Sequence, residues 1–172
     1  MNHTTHMRTA IAEAKRAAAM DEVPVGAVIV RYPAGAGADG EIISCAHNLR
    51  ETSKNALHHA EIIAINEACE KLGSWRLLDC VLYVTLEPCP MCAGAIVNAR
   101  IPKVVFGAKD PAAGAFGSML NLNSYPLYHR PEIVSGVCGV ECADILRDYF
   151  IMKRSKPRYA KKKQSDFDKG DE

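Results

Sequence analysis

The sequence lacks any long apolar run. No stretch of its 172 residues approaches the roughly 20 uninterrupted apolar residues that a membrane-spanning helix needs. Its opening segment, Met1-Asn2-His3-Thr4-Thr5-His6, has neither the basic region nor the apolar region of a secretion signal. We therefore expect a cytoplasmic protein that makes no contact with a membrane.

The cysteine content is not that of a disulfide-stabilised secreted domain. The seven cysteines are an odd set in a chain without a secretion signal, which argues against a disulfide framework. We expect reduced thiols or metal ligands instead. In particular, Cys138 and Cys142 have no second cysteine pair nearby, and we expect them to be small buried residues.

The net charge of +1 indicates no class of partner, but it conceals a basic cluster near the C-terminus. The cluster consists of Lys153, Arg154, Lys156, Arg158, Lys161, Lys162 and Lys163. It follows the aromatic pair Tyr149-Phe150, and cations beside aromatic rings are typical of surfaces that bind RNA. An ordinary solvated tail is the alternative interpretation.

The length predicts a single domain, over residues 1–156, followed by a basic and then acidic tail over 157–172 that we expect to be disordered. The apolar periodicity predicts helices over 7–20, 59–72, 89–99 and 143–152, and strands over 23–30, 41–45, 81–86, 103–107 and 133–137. Strands that alternate with helices after an initial hairpin indicate an α/β fold, with a central sheet covered on both faces. The long segment 108–131 is predicted to be a functional loop. Trp75 is expected to pack in the core, and stacking on another group is the alternative.

Two short motifs together supply the ligands of a catalytic zinc site. The first is His59-Ala60-Glu61, and the second is Pro88-Cys89-Pro90-Met91-Cys92. Cysteines three residues apart on a helix share a face, and a helix N-terminus favours the thiolate form. One imidazole and two thiolates leave the fourth tetrahedral position of zinc open to water. We expect one Zn²⁺ per chain and no nicotinamide or flavin cofactor.

Glu61 is the predicted catalytic residue. If both His59 and Glu61 reach the site from the first turn of one helix, the carboxylate lies beside the metal and can move protons. The order of residues matches the pattern H-x-E…P-C-x-x-C of zinc-dependent nucleobase deaminases. Either motif alone would be weak, because isolated Cys-x-x-Cys and His-x-Glu sequences are common.

The chain resembles the bacterial tRNA-specific adenosine deaminases, within the cytidine-deaminase-like superfamily, from its opening helix to about Arg154. The resemblance extends beyond the metal motifs to Glu22-Val23-Pro24-Val25-Gly26-Ala27-Val28, Trp75-Arg76-Leu77, Tyr83-Val84-Thr85-Leu86-Glu87, Cys92-Ala93-Gly94-Ala95 and Val105-Phe106-Gly107-Ala108-Lys109-Asp110. It implies a three-layer α/β/α fold with a five-stranded mixed sheet, and a homodimer. It also implies hydrolysis of adenosine to inosine at the wobble position of a tRNA anticodon stem-loop.

The resemblance further implies a set of substrate-binding residues. Asn48 matches a residue that hydrogen-bonds the target nucleoside, and Asp110 matches one that contacts the ribose; Ala60 and His129 are the other candidates. Tyr128 departs from the asparagine found before this histidine in many relatives, which puts a nucleotide contact there in doubt.

Two other functions use the same residues. A deaminase of a free base or nucleotide, such as guanine or cytosine, would share the zinc site, and its activity on a free base would distinguish it. A non-catalytic zinc-stabilised module is the second, but a structural site normally has four protein ligands and needs no glutamate such as Glu61.

Overall fold

The computed structural model describes residues 2–35, 37 and 39–155. The predicted tail over 157–172 lies outside them, as do two residues of the turn between positions 33 and 40. The helices are α1 His3–Ala19, α2 Arg50–Ser53, α3 Ala60–Leu72, α4 Pro90–Asn98 and α5 Gly139–Ser155. The strands are β1 Gly26–Arg31, β2 Glu41–His47, β3 Cys80–Leu86, β4 Lys103–Ala108 and β5 Glu132–Ser135, and a 3₁₀ helix spans Leu122–Ser124.

The five strands form one mixed sheet in the order β2-β1-β3-β4-β5. Strand β1 is antiparallel to both β2 and β3. Strands β3, β4 and β5 are parallel to one another, so their carboxyl ends meet at one edge of the sheet. This confirms the predicted five-stranded mixed sheet.

Helices cover both faces of the sheet because side chains alternate along each strand. On one face, Tyr83 of β3 packs in a buried cluster with residues of α1 and α5, including Met7 and Cys142. On the other face, the neighbouring Leu82 packs with α3 and α4, for example with Ile96. The fold is therefore the expected three-layer α/β/α arrangement.

Two helices begin earlier than predicted, and one short helix was not predicted. Helix α1 begins at His3 instead of residue 7, and the Asn2 side chain caps it by accepting the Thr5 N–H at 3.3 Å. Helix α5 begins at Gly139, four residues before the predicted start. Helix α2 has no buried residue, so it left no apolar pattern to detect.

The prediction that Trp75 packs in the core is wrong. Its side chain is 53% exposed, and the Arg76 guanidinium stacks over the ring at 4.0 Å from the centroid. Cys142 is buried as predicted, whereas Cys138 is only partly buried. Within the part of the chain that the structure describes, no helix combines the length and the apolar character needed to cross a membrane.

Candidate active site

Two helix N-termini meet at the candidate active site. His59 is the residue before α3, and Cys89 is the residue before α4; both have extended backbone conformations. Pro90 occupies the first position of α4, where its missing N–H costs no hydrogen bond. The positive ends of both helices therefore point toward the side chains that flank them, and this favours anionic ligands.

His59, Cys89 and Cys92 form a three-ligand cluster. The ligand atoms lie within 4.8 Å of one another, and His59 Nδ1 is 3.7 Å from Cys89 Sγ and 3.6 Å from Cys92 Sγ. Tetrahedral zinc with ordinary bond lengths places a nitrogen and a sulfur ligand about 3.6 Å apart. The donor set and its spacing therefore fit zinc.

The cluster favours the deprotonated thiol at Cys89. The pKa of this thiol is lowered to about 4, because the Cys92 thiol and the His59 ring both hydrogen-bond its sulfur. The same contact with Cys89 raises the pKa of His59. The cluster thus stabilises a thiolate, which is the form that binds metals.

Glu61 lies in the first turn of α3, beside this cluster, and is only 4% exposed. Burial raises the pKa of its carboxyl. A carboxylate with a raised pKa accepts and releases protons more readily near neutral pH than an ordinary glutamate. The predicted first-turn placement of His59 and Glu61 agrees with the observed helix start.

A cavity of about 150 Å³ opens onto Glu61 and the ligand cluster. Its walls come from five parts of the chain: the segment before β1, the segment around α2, the start of α3, the segment from the end of β3 to the start of α4, and the loop after β4. The lining residues are Val23, Val25, Asn48, Arg50, His59, Glu61, Leu86, Glu87, Cys89, Asp110 and Ala113.

Only two of the four predicted substrate-binding residues line the cavity. Asn48 and Asp110 line the cavity, and one oxygen of Asp110 also accepts the backbone N–H groups of Ala112 and Ala113 at 2.9 and 3.2 Å. Ala60 is completely buried. His129 is not among the lining residues; its Nε2 donates to the Ile101 carbonyl at 2.7 Å.

Sequence reasoning assigned no role to Glu87, although it follows β3 directly. It is 2% exposed, and its carboxylate accepts the N–H groups of Asp110, Phe116 and Ser118 at 3.2, 3.0 and 3.1 Å, together with the Ser118 hydroxyl. Glu87 therefore holds the loop after β4 against the cavity. Its position just before Pro88-Cys89 was the available signal.

An open groove lies next to the cavity and shares Val23 and Arg50 with it. It carries the cations Lys54 and Lys153, with Phe150 43% exposed. Its lining residues are Met20, Asp21, Val23, Arg50, Glu51, Thr52, Lys54, Tyr149, Phe150 and Lys153. Arg154 of the same basic cluster is exposed, and the other residues of the cluster lie outside the described residues.

An α/β/α fold with a His/Cys/Cys cluster and a buried glutamate at two helix starts defines the class of cytidine-deaminase-like enzymes. A family model for MafB19-like deaminases matches residues 1–154. A tRNA-specific adenosine deaminase of Bacillus subtilis (strain 168) is 49% identical over 162 residues, which cover 94% of this chain and 96% of that protein. The chain therefore belongs to the family of the tRNA-specific adenosine deaminases, and the resemblance seen in the sequence is confirmed.

Solved structures agree with this assignment. A tRNA:A34 deaminase, from a study of A-to-I editing at the wobble position of transfer RNA, is 44% identical with a TM-score of 0.76. The match covers 83% of this chain and 99% of that one. A guanine deaminase from Bacillus subtilis is more distant, at 29% identity and a TM-score of 0.56, and covers 93% of this chain and 99% of its own.

Proposed function

We propose that this protein is a zinc-dependent hydrolase that converts adenosine to inosine at the wobble position of a tRNA anticodon. The observation that carries the proposal is the His59/Cys89/Cys92 cluster, with the buried Glu61 beside it in one cavity. The names of the related proteins support adenosine in tRNA as the substrate.

His59, Cys89 and Cys92 would hold one zinc ion. The fit rests on one imidazole nitrogen and two sulfurs at separations suited to tetrahedral coordination. Three protein ligands are typical of a catalytic site, because a fourth position stays open. When bound, zinc supplies Lewis acidity that makes water a nucleophile at neutral pH.

Glu61 moves the protons. Its carboxylate accepts one proton from the attacking water and delivers it to ring N1. It then carries the second proton, from the oxygen added at C6, to the amino group, which leaves as ammonia while the C6 carbonyl of inosine forms. Burial, which raises the pKa of Glu61, suits both steps, because the group must be a base first and an acid afterwards. A structural zinc site would not need this carboxylate, which argues against a non-catalytic module.

The substrate nucleotide enters the cavity from an unpaired loop. An enzyme cannot reach the reactive carbon of a stacked base, and anticodon loops present bases that are already accessible. The walls formed by Asn48 and Asp110 would contact the nucleoside. The adjoining groove, with Arg50, Lys54 and Phe150, has the cations and the exposed ring that suit neighbouring phosphates and bases.

The C-terminal basic cluster and the oligomeric state belong to the same proposal. The tail over 157–172 would add phosphate contacts without taking part in the chemistry. We further propose a cytoplasmic homodimer, on the strength of the family resemblance. Light scattering of the zinc-loaded protein at micromolar concentration tests the dimer, and a purely monomeric mass would contradict it.

Ammonia release by the purified, zinc-loaded protein tests the substrate. The substrates to compare are an anticodon stem-loop with adenosine at the wobble position, free adenosine, free guanine and free cytosine. We expect turnover of the stem-loop, falling as salt rises, with little turnover of the free compounds. Robust turnover of guanine or cytosine, with none of the stem-loop, would instead establish a free-base deaminase.

A further inference from the structure

We propose that Glu22 is a positioning residue that fixes the amide of Asn48, so that Asn48 Oδ1 accepts a hydrogen bond from the ribose 2′-hydroxyl of the target nucleotide. The pair Glu22 and Asn48 would then distinguish RNA from DNA. This inference rests on the function proposed above.

Glu22 is a completely buried carboxylate that is stabilised by hydrogen bonds. It accepts from Asn48 Nδ2 at 3.0 Å, from the Glu51 N–H at 3.2 Å and from the Thr52 N–H at 2.5 Å. Among the residues that the structure describes, it has no ion-pair partner within 4.0 Å. A buried carboxylate without an ion-pair partner must be held by such donors, so these three groups have a defined orientation around it.

The carboxylate determines which way the Asn48 amide points. An ionised carboxylate only accepts hydrogen bonds, so the NH₂ group of Asn48 must face Glu22 and the oxygen must face away from it. Asn48 is 5% exposed and lines the cavity. Its Oδ1 forms no hydrogen bond with the described residues. Asn48 therefore offers the cavity an acceptor that lacks a protein partner.

The chemistry of the substrate limits what can donate to this acceptor. In adenosine, the base donates only through its amino group, and that group must face Glu61 and the ligand cluster, where it is lost. Within an RNA chain, the 3′ and 5′ oxygens of the target nucleotide are esterified. The 2′-hydroxyl is the remaining donor, and it is the group that separates RNA from DNA.

Glu22 also accepts hydrogen bonds from the Glu51 and Thr52 N–H groups at the start of α2. A loss of overall activity would therefore not show whether Glu22 orients the Asn48 amide or only stabilises α2. The preference for ribose over deoxyribose can separate them. A glutamine at position 22 can donate to Asn48 Oδ1, which allows the amide to reverse and turns its NH₂ group toward the cavity. General damage to α2 would lower turnover of both sugars equally.

The experiment measures kcat/KM on two anticodon stem-loops that differ only in having adenosine or 2′-deoxyadenosine at the target position. The variants are Glu22→Gln, Asn48→Ala and, as a matched control on α2, the exposed Glu51→Gln. We expect the wild-type protein to prefer the ribonucleotide by about tenfold, which corresponds to one net hydrogen bond. Glu22→Gln and Asn48→Ala should each reduce this ratio at least threefold, whereas Glu51→Gln should preserve it.

A wild-type ratio in soluble Glu22→Gln would overturn the positioning role, and an unchanged ratio in Asn48→Ala would overturn the acceptor role. If Glu22→Gln does not fold, Glu22→Asp replaces it, because it keeps the charge but withdraws the carboxylate by one methylene; it must lower the same ratio. A wild-type protein without activity on the ribonucleotide stem-loop would contradict the proposed function instead, so the two failures are distinguishable.

Discussion

Replacement of Glu87 by glutamine tests how the loop after β4 is held against the cavity. The carboxylate accepts four hydrogen bonds: from the N–H groups of Asp110, Phe116 and Ser118, and from the Ser118 hydroxyl. Glutamine keeps one acceptor oxygen, which can serve Phe116 and Ser118. Its NH₂ group can donate to the Ser118 hydroxyl, which then accepts a hydrogen bond instead of donating one. Even in this best arrangement, the Asp110 N–H loses its partner.

The expected cost is a loss of about 2–4 kcal/mol in the free energy of unfolding. An unpaired buried donor costs about 1–3 kcal/mol, and hydrogen bonds to a neutral oxygen are weaker than those to a charged one. Glu70→Gln, on the exposed side of α3, is the matched control and should change the free energy by no more than about 0.5 kcal/mol. The difference between the two variants in the free energy of unfolding measures the contribution of the buried Glu87 carboxylate.

Urea denaturation of the zinc-loaded proteins measures this difference, and amide hydrogen exchange at Phe116 and Ser118 locates it. We expect faster exchange at both amides in Glu87→Gln. We also expect KM to rise more than kcat falls, because Asp110 and Ala113 of this loop line the cavity. A loss below about 0.5 kcal/mol with unchanged exchange at Phe116 and Ser118 would refute the role assigned to Glu87.

Three further predictions address the metal, the pH dependence and the tail. Cys92→Ala should lose its single zinc ion, whereas the control variant Cys69→Ala should retain it. A full zinc content in Cys92→Ala would contradict the assignment of Cys92 as a ligand. Burial raises the pKa of Glu22, but hydrogen bonds from the Thr52 N–H, the Thr52 side chain and the Glu51 N–H outweigh it and hold the pKa below the ordinary 4.5. Its stabilising contribution is therefore fully present well above pH 4.5 and is lost as pH falls below that value. The difference in unfolding free energy between wild type and Glu22→Gln should narrow as pH falls from about 5 to about 3, and a widening difference would contradict this. Deletion of residues 158–172 should raise KM for a stem-loop and flatten its salt dependence, whereas deletion of residues 165–172, which spares the basic cluster, should not.

The clustering of His59, Cys89 and Cys92 was predictable because its signal is local. His59 and Glu61 are two residues apart, Cys89 and Cys92 are three apart, and each pair lies at a helix start marked by the sequence. The donor set alone therefore indicated the chemistry. The central strand was predictable for a similar reason, since β3 is largely buried, is apolar except for Thr85 and is followed by Pro88.

The carboxylates that shape the cavity walls were not predictable in the same way. Glu22 receives donors from residues up to 30 positions away, and Glu87 from residues up to 31 away. Charged residues are usually exposed, so neither position suggested a buried site. The prediction for Trp75 failed for the opposite reason. A large apolar ring is usually buried, but this ring lies at the surface, where the Arg76 guanidinium stacks over it.

We propose that the His59/Cys89/Cys92 cluster and Glu61 deaminate adenosine in tRNA. The most direct measurement is sequencing of tRNA for adenosine-to-inosine change at the wobble position, after incubation with wild type or with Glu61→Gln. Wild type should introduce inosine there, and Glu61→Gln should retain zinc while its rate falls about 10²–10⁴-fold. Absence of inosine with the zinc-loaded wild type, or near-normal inosine formation by Glu61→Gln with its zinc intact, would contradict the account.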